Sequence, residues 1–213
     1  MIRFLRRLAI ALAVLLLLAN GAVALLGPAR FPGLMALWRQ GAGPGLAVGG
    51  PFALVDAASG RPFTQDSFRG HWTLVYFGYT FCPDICPTDL AKAVQALAAL
   101  GPEGLAITPV FVTVDPARDT PAVMASYVAL FSPRLRGLTG SQAAVDQAER
   151  AFRVYAEKLP VPNAGPGTYL MNHSAFFYLM NPQGEAAAIL PPQQDASDMA
   201  AAIRRAMGAA PTT

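Results

Sequence analysis

Two short runs constrain the fold more than anything else in the chain: Trp72–Tyr79 (WTLVYFGY) and Ile107–Val114 (ITPVFVTV). Both are apolar and dense in β-branched and aromatic residues, with no polar face to give to water. Strands of that kind must be buried on both sides, and helices linking parallel strands do the burying. The intervening sequence supplies such helices. Asp84–Leu100 sets Leu90, Val94, Leu97 and Leu100 on one face. Thr120 is an N-cap and Pro121 a first helical residue for a helix reaching about Phe131. Ser141 caps a further helix carrying Ala144, Val145, Ala148, Phe152 and Tyr155. Phe52–Val55 and Ser174–Met180 read as shorter strands. The second turns at Asn181–Gly184 and returns over Glu185–Leu190 as a hairpin. Ala196–Met207 is a closing helix that Gly208 stops. The expectation is an α/β fold around a mixed central sheet, with right-handed crossovers. Lys158–Met171, with three prolines and two glycines, is expected to be a long functional or mobile loop.

A second constraint lies at the N-terminus. Arg3, Arg6 and Arg7 precede an apolar run from Leu8 to Leu26, broken only by Asn20 and Gly21. At ~1.5 Å per residue this nearly matches a ~30 Å hydrocarbon core. The basic flank stays cytoplasmic, so the rest lies across the membrane, on the periplasmic side of an inner membrane. Ala22-Val23-Ala24 offers a signal cleavage site. The run exceeds the usual signal core of about 7–15 residues, which favours an uncleaved anchor. The expected division is therefore an anchor over 1–27, a Gly/Pro-rich linker over 28–50, a domain over 51–208 and a tail over 209–213. Within the linker, Phe31–Gln40 is expected as a short interfacial helix with Trp38 at headgroup level. The 213 residues suit one domain with such an appendage, and at 54% hydrophobic and 14% charged the chain is too apolar to be disordered. The net charge of +3 is matched by the three N-terminal arginines. With no basic cluster interleaved with aromatics, nucleic-acid binding has no support.

Thiol or metal chemistry has few places to live. The chain has Cys82, Cys86, His71 and His173 and no other cysteine or histidine. The cysteines lie in FCPDICP, directly after a buried strand and entering a helix. Loops at the carboxyl ends of parallel strands form the ligand crevice. A helix start offers free N–H groups that favour a thiolate. Spacing of four puts both sulfurs near one spot, where they can close a disulfide or hold a soft metal. Two sulfurs are too few for an iron–sulfur cluster. His173, just before a strand, is the candidate third ligand, though only the tertiary fold can deliver it. His71, in a turn, is given no role. Asp84 reads equally as a first-turn helix acid or a shaper of the site. Asp115, Arg118 and Asp119, at the end of the next strand, read equally as turn chemistry or as support for the site. Phe81 and Ile85 read as core or as docking surface.

The stretches YFGYTFCPDICPTDL (Tyr76–Leu90), VTVDPARDTP (Val112–Pro121), GLTG (Gly137–Gly140) and NHSAFFYLMNPQG (Asn172–Gly184) together resemble the Sco/SenC family of copper proteins in cytochrome c oxidase assembly. The resemblance covers about Phe52 to Leu190 in the family's order. It implies a thioredoxin-like fold behind an N-terminal transmembrane helix. It implies copper, as Cu(I) or Cu(II), bound by Cys82, Cys86 and His173. It also implies delivery of copper to, or reduction of, the binuclear copper centre of oxidase subunit II, with a copper donor protein upstream. Two positions depart from the family: Asn172 stands where an aspartate is usual, and His71 where lysine is frequent. The competing readings are a thiol–disulfide reductase acting on the same subunit and a peroxidase-like thiol enzyme. A redox thioredoxin more often has two residues between its cysteines, and a peroxidase needs no metal histidine, so His173 discriminates.

Overall fold

The computed structural model describes residues 48–163, 165 and 167–208. The expected anchor, the linker up to residue 47 with its interfacial helix, and the tail lie outside the described residues. Among the described residues no helix is long and apolar enough to cross a membrane.

The chain opens with β1 (Ala53–Asp56), β2 (Pro62–Thr64) and a 3-10 turn at Gln65–Phe68, then enters β3 (Trp72–Gly78). α1 (Ile85–Ala99), a single turn α2 (Pro102–Leu105), β4 (Ile107–Thr113), α3 (Pro121–Ala129), β5 (Arg136–Thr139) and α4 (Gln142–Phe152) follow. The last third holds β6 (Ala156–Pro160), β7 (Tyr169–His173), β8 (Phe177–Met180), β9 (Ala186–Leu190) and α5 (Ala196–Gly208). Seven strands form one mixed sheet in the order β2-β1-β5-β4-β3-β8-β9. β3, β4 and β5 run parallel, and β1, β8 and the hairpin partner β9 pair antiparallel. The mixed α/β architecture is the one expected.

The two apolar runs are β3 and β4, central and buried almost throughout. Successive residues of a strand face opposite ways, and the sheet uses this to make two half-cores. Tyr76 stacks on Phe111 and Phe177 on one side, where Leu90 of α1 and Tyr127 of α3 also pack. Its neighbour Phe77 faces the other side, meeting Phe152 of α4 at 5.2 Å between ring centres. Phe152 also contacts Phe52, Phe68 and Tyr178. Pro109, inside β4, is accommodated because β5 pairs only from Val110 onward, which leaves that flank of the ladder without a bond to lose. Thr120 and Ser141 cap α3 and α4 as expected, their side chains accepting from Val123 and Ala144 N–H groups.

Two strands of the seven-stranded sheet were not expected, and other expectations change. Gly137–Thr139 of the GLTG run lies in β5, which its glycine hid from a propensity reading. Pro62–Thr64 adds an edge strand, where proline is tolerated. Arg153 takes a left-handed conformation that ends α4 at Phe152, so Tyr155 is off the helix and exposed. The expected Lys158–Met171 loop is shorter, confined to positions 161–168, and its two ends belong to a ribbon: β6 and β7 pair antiparallel from Ala156↔His173 to Pro160↔Tyr169. His173 therefore ends a strand of its own, and the strand expected from Ser174 starts at Phe177.

Candidate metal centre

The end of β3 and the start of α1 build one wall of the site. The chain leaves β3 through Tyr79, Thr80 and Phe81, and Cys82 sits in this turn, partly buried. Asp84 is the N-cap by position but makes no capping bond with its side chain. Cys86, the second residue of α1, is fully buried. Cys82 is thus ahead of the helix rather than on its first turn. Its sulfur takes the place of the missing cap, accepting the Cys86 N–H at 3.3 Å. Both cysteines are free thiols.

The pair is electrostatically asymmetric. The Cys86 thiol donates to Cys82 and, with the His173 side chain and the backbone N–H groups of Cys86 and Asp84, holds Cys82 down to about 3 against the cost of burial. The same bond, together with burial, pushes Cys86 well above the usual thiol range. At neutral pH the two share one proton, with the thiolate on the more accessible sulfur.

The opposite wall is β7. Its residues alternate between half-buried Tyr169, Met171 and His173 and exposed Leu170 and Asn172. His173 is seated edge-on against Tyr76 and Tyr79, 6.4 and 5.9 Å between ring centres. Its Nδ1 lies 3.0 Å from the Ser174 carbonyl. Its Nε2, the ring nitrogen not turned to the backbone, lies 3.4 Å from Cys86 Sγ. Residues 87 positions apart thereby share one site.

The donors suit a soft metal ion. Two ligands bound to one ion at ~2.3 Å (sulfur) and ~2.0 Å (nitrogen) with tetrahedral angles stand about 3.5 Å apart. The Cys86–His173 separation already has that value. The backbone carbonyl behind Nδ1 is the outer partner that metal-bound imidazoles usually have. Among the described residues no group of three or more His, Cys, Asp or Glu side chains is yet arranged as a complete metal cage. Cys82 and His173 each lie against Cys86, through its backbone N–H and its Sγ respectively. A groove of about 290 Å³ opens beside them, bordered by Cys82, Ile85, Leu159, Leu170 and His173. Phe81 and Ile85 are 58% and 55% exposed, so they are surface and not core.

The loop after β4 reaches the same end of the sheet. Asp119 is buried, accepting from the Thr80 N–H and hydroxyl and from the Thr113 hydroxyl at 2.6–3.1 Å. It pins the turn that leads to Cys82. Asp115 pairs with Arg118 and accepts the Tyr169 hydroxyl at 2.8 Å. His71 is exposed at the opposite end of β3. Tyr76, Tyr79 and Tyr169 escaped the sequence reading. For Tyr169 the alternation Tyr169-Met171-His173 was an available signal, masked by the glycines and prolines before it. For the other two, only packing reveals the role.

The SCO1/SenC family model matches residues 40–208. A mouse protein named SCO2 homolog, mitochondrial, is 44% identical over 170 residues, covering 76% of this chain and 64% of its own length. Yeast SCO1, mitochondrial, is 44% identical over 141 residues, covering 65% of this chain and 47% of its own. The chain thus spans under two thirds of the length of these curated relatives. Among solved structures, Bradyrhizobium japonicum ScoI with copper bound is 40% identical with a TM-score of 0.67, covering 75% of this chain and 99% of that one. Yeast Sco1 with copper bound is 39% identical with a TM-score of 0.71, covering 78% and 92%.

Proposed function

The chain belongs to the SCO1/SenC family, and on that premise we propose that it is a copper metallochaperone whose Cys82, Cys86 and His173 hold one copper ion for cytochrome c oxidase assembly. The observation that carries the reading is the 3.4 Å approach of His173 Nε2 to Cys86 Sγ. Nothing in the local sequence brings them together, and their separation is the one that two ligands of a single ion take. The solved relatives named as copper-bound support copper over zinc for this donor set.

Loading follows from the geometry. Cys82 offers a ready thiolate as first point of attachment. Copper then displaces the proton held by Cys86, and the Cys86 thiolate and His173 Nε2 complete the set. Cys82 borders the groove while Cys86 is buried, so the more accessible sulfur is the first that a partner's ligands can replace. The partner is the binuclear copper centre of oxidase subunit II, met across the apolar rim of Phe81 and Ile85. The N-terminal run, Leu8–Leu26, tethers the domain to the inner membrane on its periplasmic side. The domain proper is residues 51–208.

A second reading is favoured by the asymmetry of the thiols. A partly accessible low-pKa thiolate beside a buried thiol is the arrangement of a dithiol reductant. Cys82 would attack a partner disulfide. Cys86, losing its proton, would then release the partner's thiol and close a Cys82–Cys86 disulfide. Both readings use the same sulfurs, and His173 separates them.

The test is copper stoichiometry and retention of the reduced protein. Wild type is expected to hold one copper per chain against a chromophoric Cu(I) chelator. His173→Ala is expected to lose more than ~100-fold in retention, beyond the ~10–100-fold typical of outer-shell changes. Equal retention in the two proteins rules out the ligand set. Failure of wild type to hold copper while its disulfide cycles readily leaves the reductase.

A further inference from the structure

Arg118 is outside the three donors, yet its guanidinium touches both segments that carry them. Its central carbon lies 5.6 Å from the Tyr79 ring and 4.9 Å from the Phe81 ring, the residues leading into Cys82. The same atom lies 3.8 Å from the ring of Tyr169, at the start of β7. Nη1 donates to the Tyr169 carbonyl at 3.0 Å. Nε is ion-paired with Asp115, whose other oxygen accepts the Tyr169 hydroxyl. Nη2 is buried with no hydrogen-bond partner, and the stacked rings occupy the space around it. Lys158, from β6, lies 4.7 Å from the same Tyr169 ring.

The ribbon needs such a fastening. β6 and β7 form a two-stranded sheet of their own, separate from the seven-stranded one. An isolated pair of strands is marginal in water. Beyond the Ala156–His173 pair the two strands are tied to each other by the reciprocal bonds of Tyr155 and Ser174, at 2.9 and 3.1 Å, and His173 itself rests on Cys86. The other end of the ribbon rests on Arg118. Because side chains alternate along β7, Tyr169 and His173 share the inward face. Fixing the one fixes the approach of the other.

We propose that Arg118 is a positioning residue that clamps the β6–β7 ribbon to the Cys82 turn and so sets how firmly the site retains copper. The inference rests on the reading of Cys82, Cys86 and His173 as copper ligands. A planar guanidinium suits the task because it stacks on the Tyr169 ring and stays within cation–π reach of Tyr79 and Phe81 while donating edge-on, which an ammonium does not do.

The experiment compares copper retention in the reduced full-length protein for wild type, Arg118→Met, Tyr169→Leu, His173→Ala and the Arg118→Met/His173→Ala double variant, using a chromophoric Cu(I) chelator. The thiolate-to-Cu(II) absorption band is recorded in parallel, and thermal unfolding without metal checks the fold. Arg118→Met and Tyr169→Leu are each expected to weaken retention ~10–100-fold and to shift the absorption band. In the His173→Ala background Arg118→Met is expected to change nothing further, because the donor it positions is gone. Wild-type retention in a folded Arg118→Met protein overturns the inference, as does an equal loss with and without His173. Where Arg118→Met does not fold, Tyr169→Leu decides by the same criterion. A wild type that holds no copper overturns the ligand reading itself, an outcome distinct from failure of the clamp alone.

Discussion

Gly78 shows how closely the site is fitted. It ends β3 on the face toward α1. A Cβ added there would stand 2.8 Å from Phe111 and 2.9 Å from Cys86 Sγ. The thiol reaches its position beside His173 only because that hydrogen is not a methyl group. Gly78→Ala should therefore cost ~1–3 kcal/mol as overpacking and also weaken copper retention. Gly137→Ala, which would press on flexible Met124, should cost stability while leaving retention unchanged. Denaturant midpoints and chelator competition on both variants check this. Equal effects on retention would show that Gly78 matters only for packing. Cys82 and Cys86 illustrate the same dependence on surroundings. They are identical residues in one short motif, yet one is a held thiolate and the other a buried proton donor.

Helix α4 carries a charge that the fold disfavours. Glu149 is half-buried, and one of its carboxylate oxygens has no hydrogen-bond partner. Burial and, secondarily, Asp146 push it up to about 7 from 4.5, with Arg150 and His173 opposing. The folded protein thus holds this proton more tightly than the unfolded chain between those values. Its contribution to stability falls as pH rises from about 4.5 to about 7 and stays lower above that. Glu149→Gln should raise stability at pH 8 by roughly 1 kcal/mol, after allowance for solvent screening, and should leave it unchanged at pH 4. Thermal unfolding at the two pH values checks the sign. A gain at pH 4 equal to that at pH 8 would rule out an ionisation effect. The ribbon is the complementary case, an element with little core of its own that depends on a few polar and stacking contacts for its place.

For the molecule as a whole, one side of the sheet converges on Phe152. It ends α4 and meets Phe52 and Phe68 from the entry of the domain, Phe77 from the central strand and Tyr178 from the closing hairpin. Segments from the first, middle and last parts of the domain are joined through this ring. Phe152→Ala should cost ~3–5 kcal/mol and lower the whole unfolding transition together. Two separated transitions would show that the halves of the sheet fold independently. The half-core beneath Cys86 and His173, on the other face, is built on Tyr76, whose hydroxyl donates to buried Asp89 at 3.0 Å, itself ion-paired with Lys92. The site thus rests on a fully packed sheet rather than on loops alone.

The sequence by itself determined those features that are local in the chain. The two apolar runs had to be central strands, the capped helices had to follow them, and Cys82 and Cys86 had to fall at a strand-to-helix junction. Period, capping and turn chemistry act over a few residues, so they are legible without the fold. The motifs around both cysteines and His173 also identified the family. What only the tertiary structure decided was everything that depends on distant segments meeting. Gly137–Thr139 joined a strand because a parallel edge stood open beside β4. The two ends of the Lys158–Met171 segment paired with each other, and Tyr169 came to lie on Arg118, far away in sequence. His173 reached Cys86 because the ribbon folded over the end of β3. Long-range contacts carry the entropic cost of closing long loops. Their occurrence is settled by the summed packing of the whole domain, which no short stretch of sequence records.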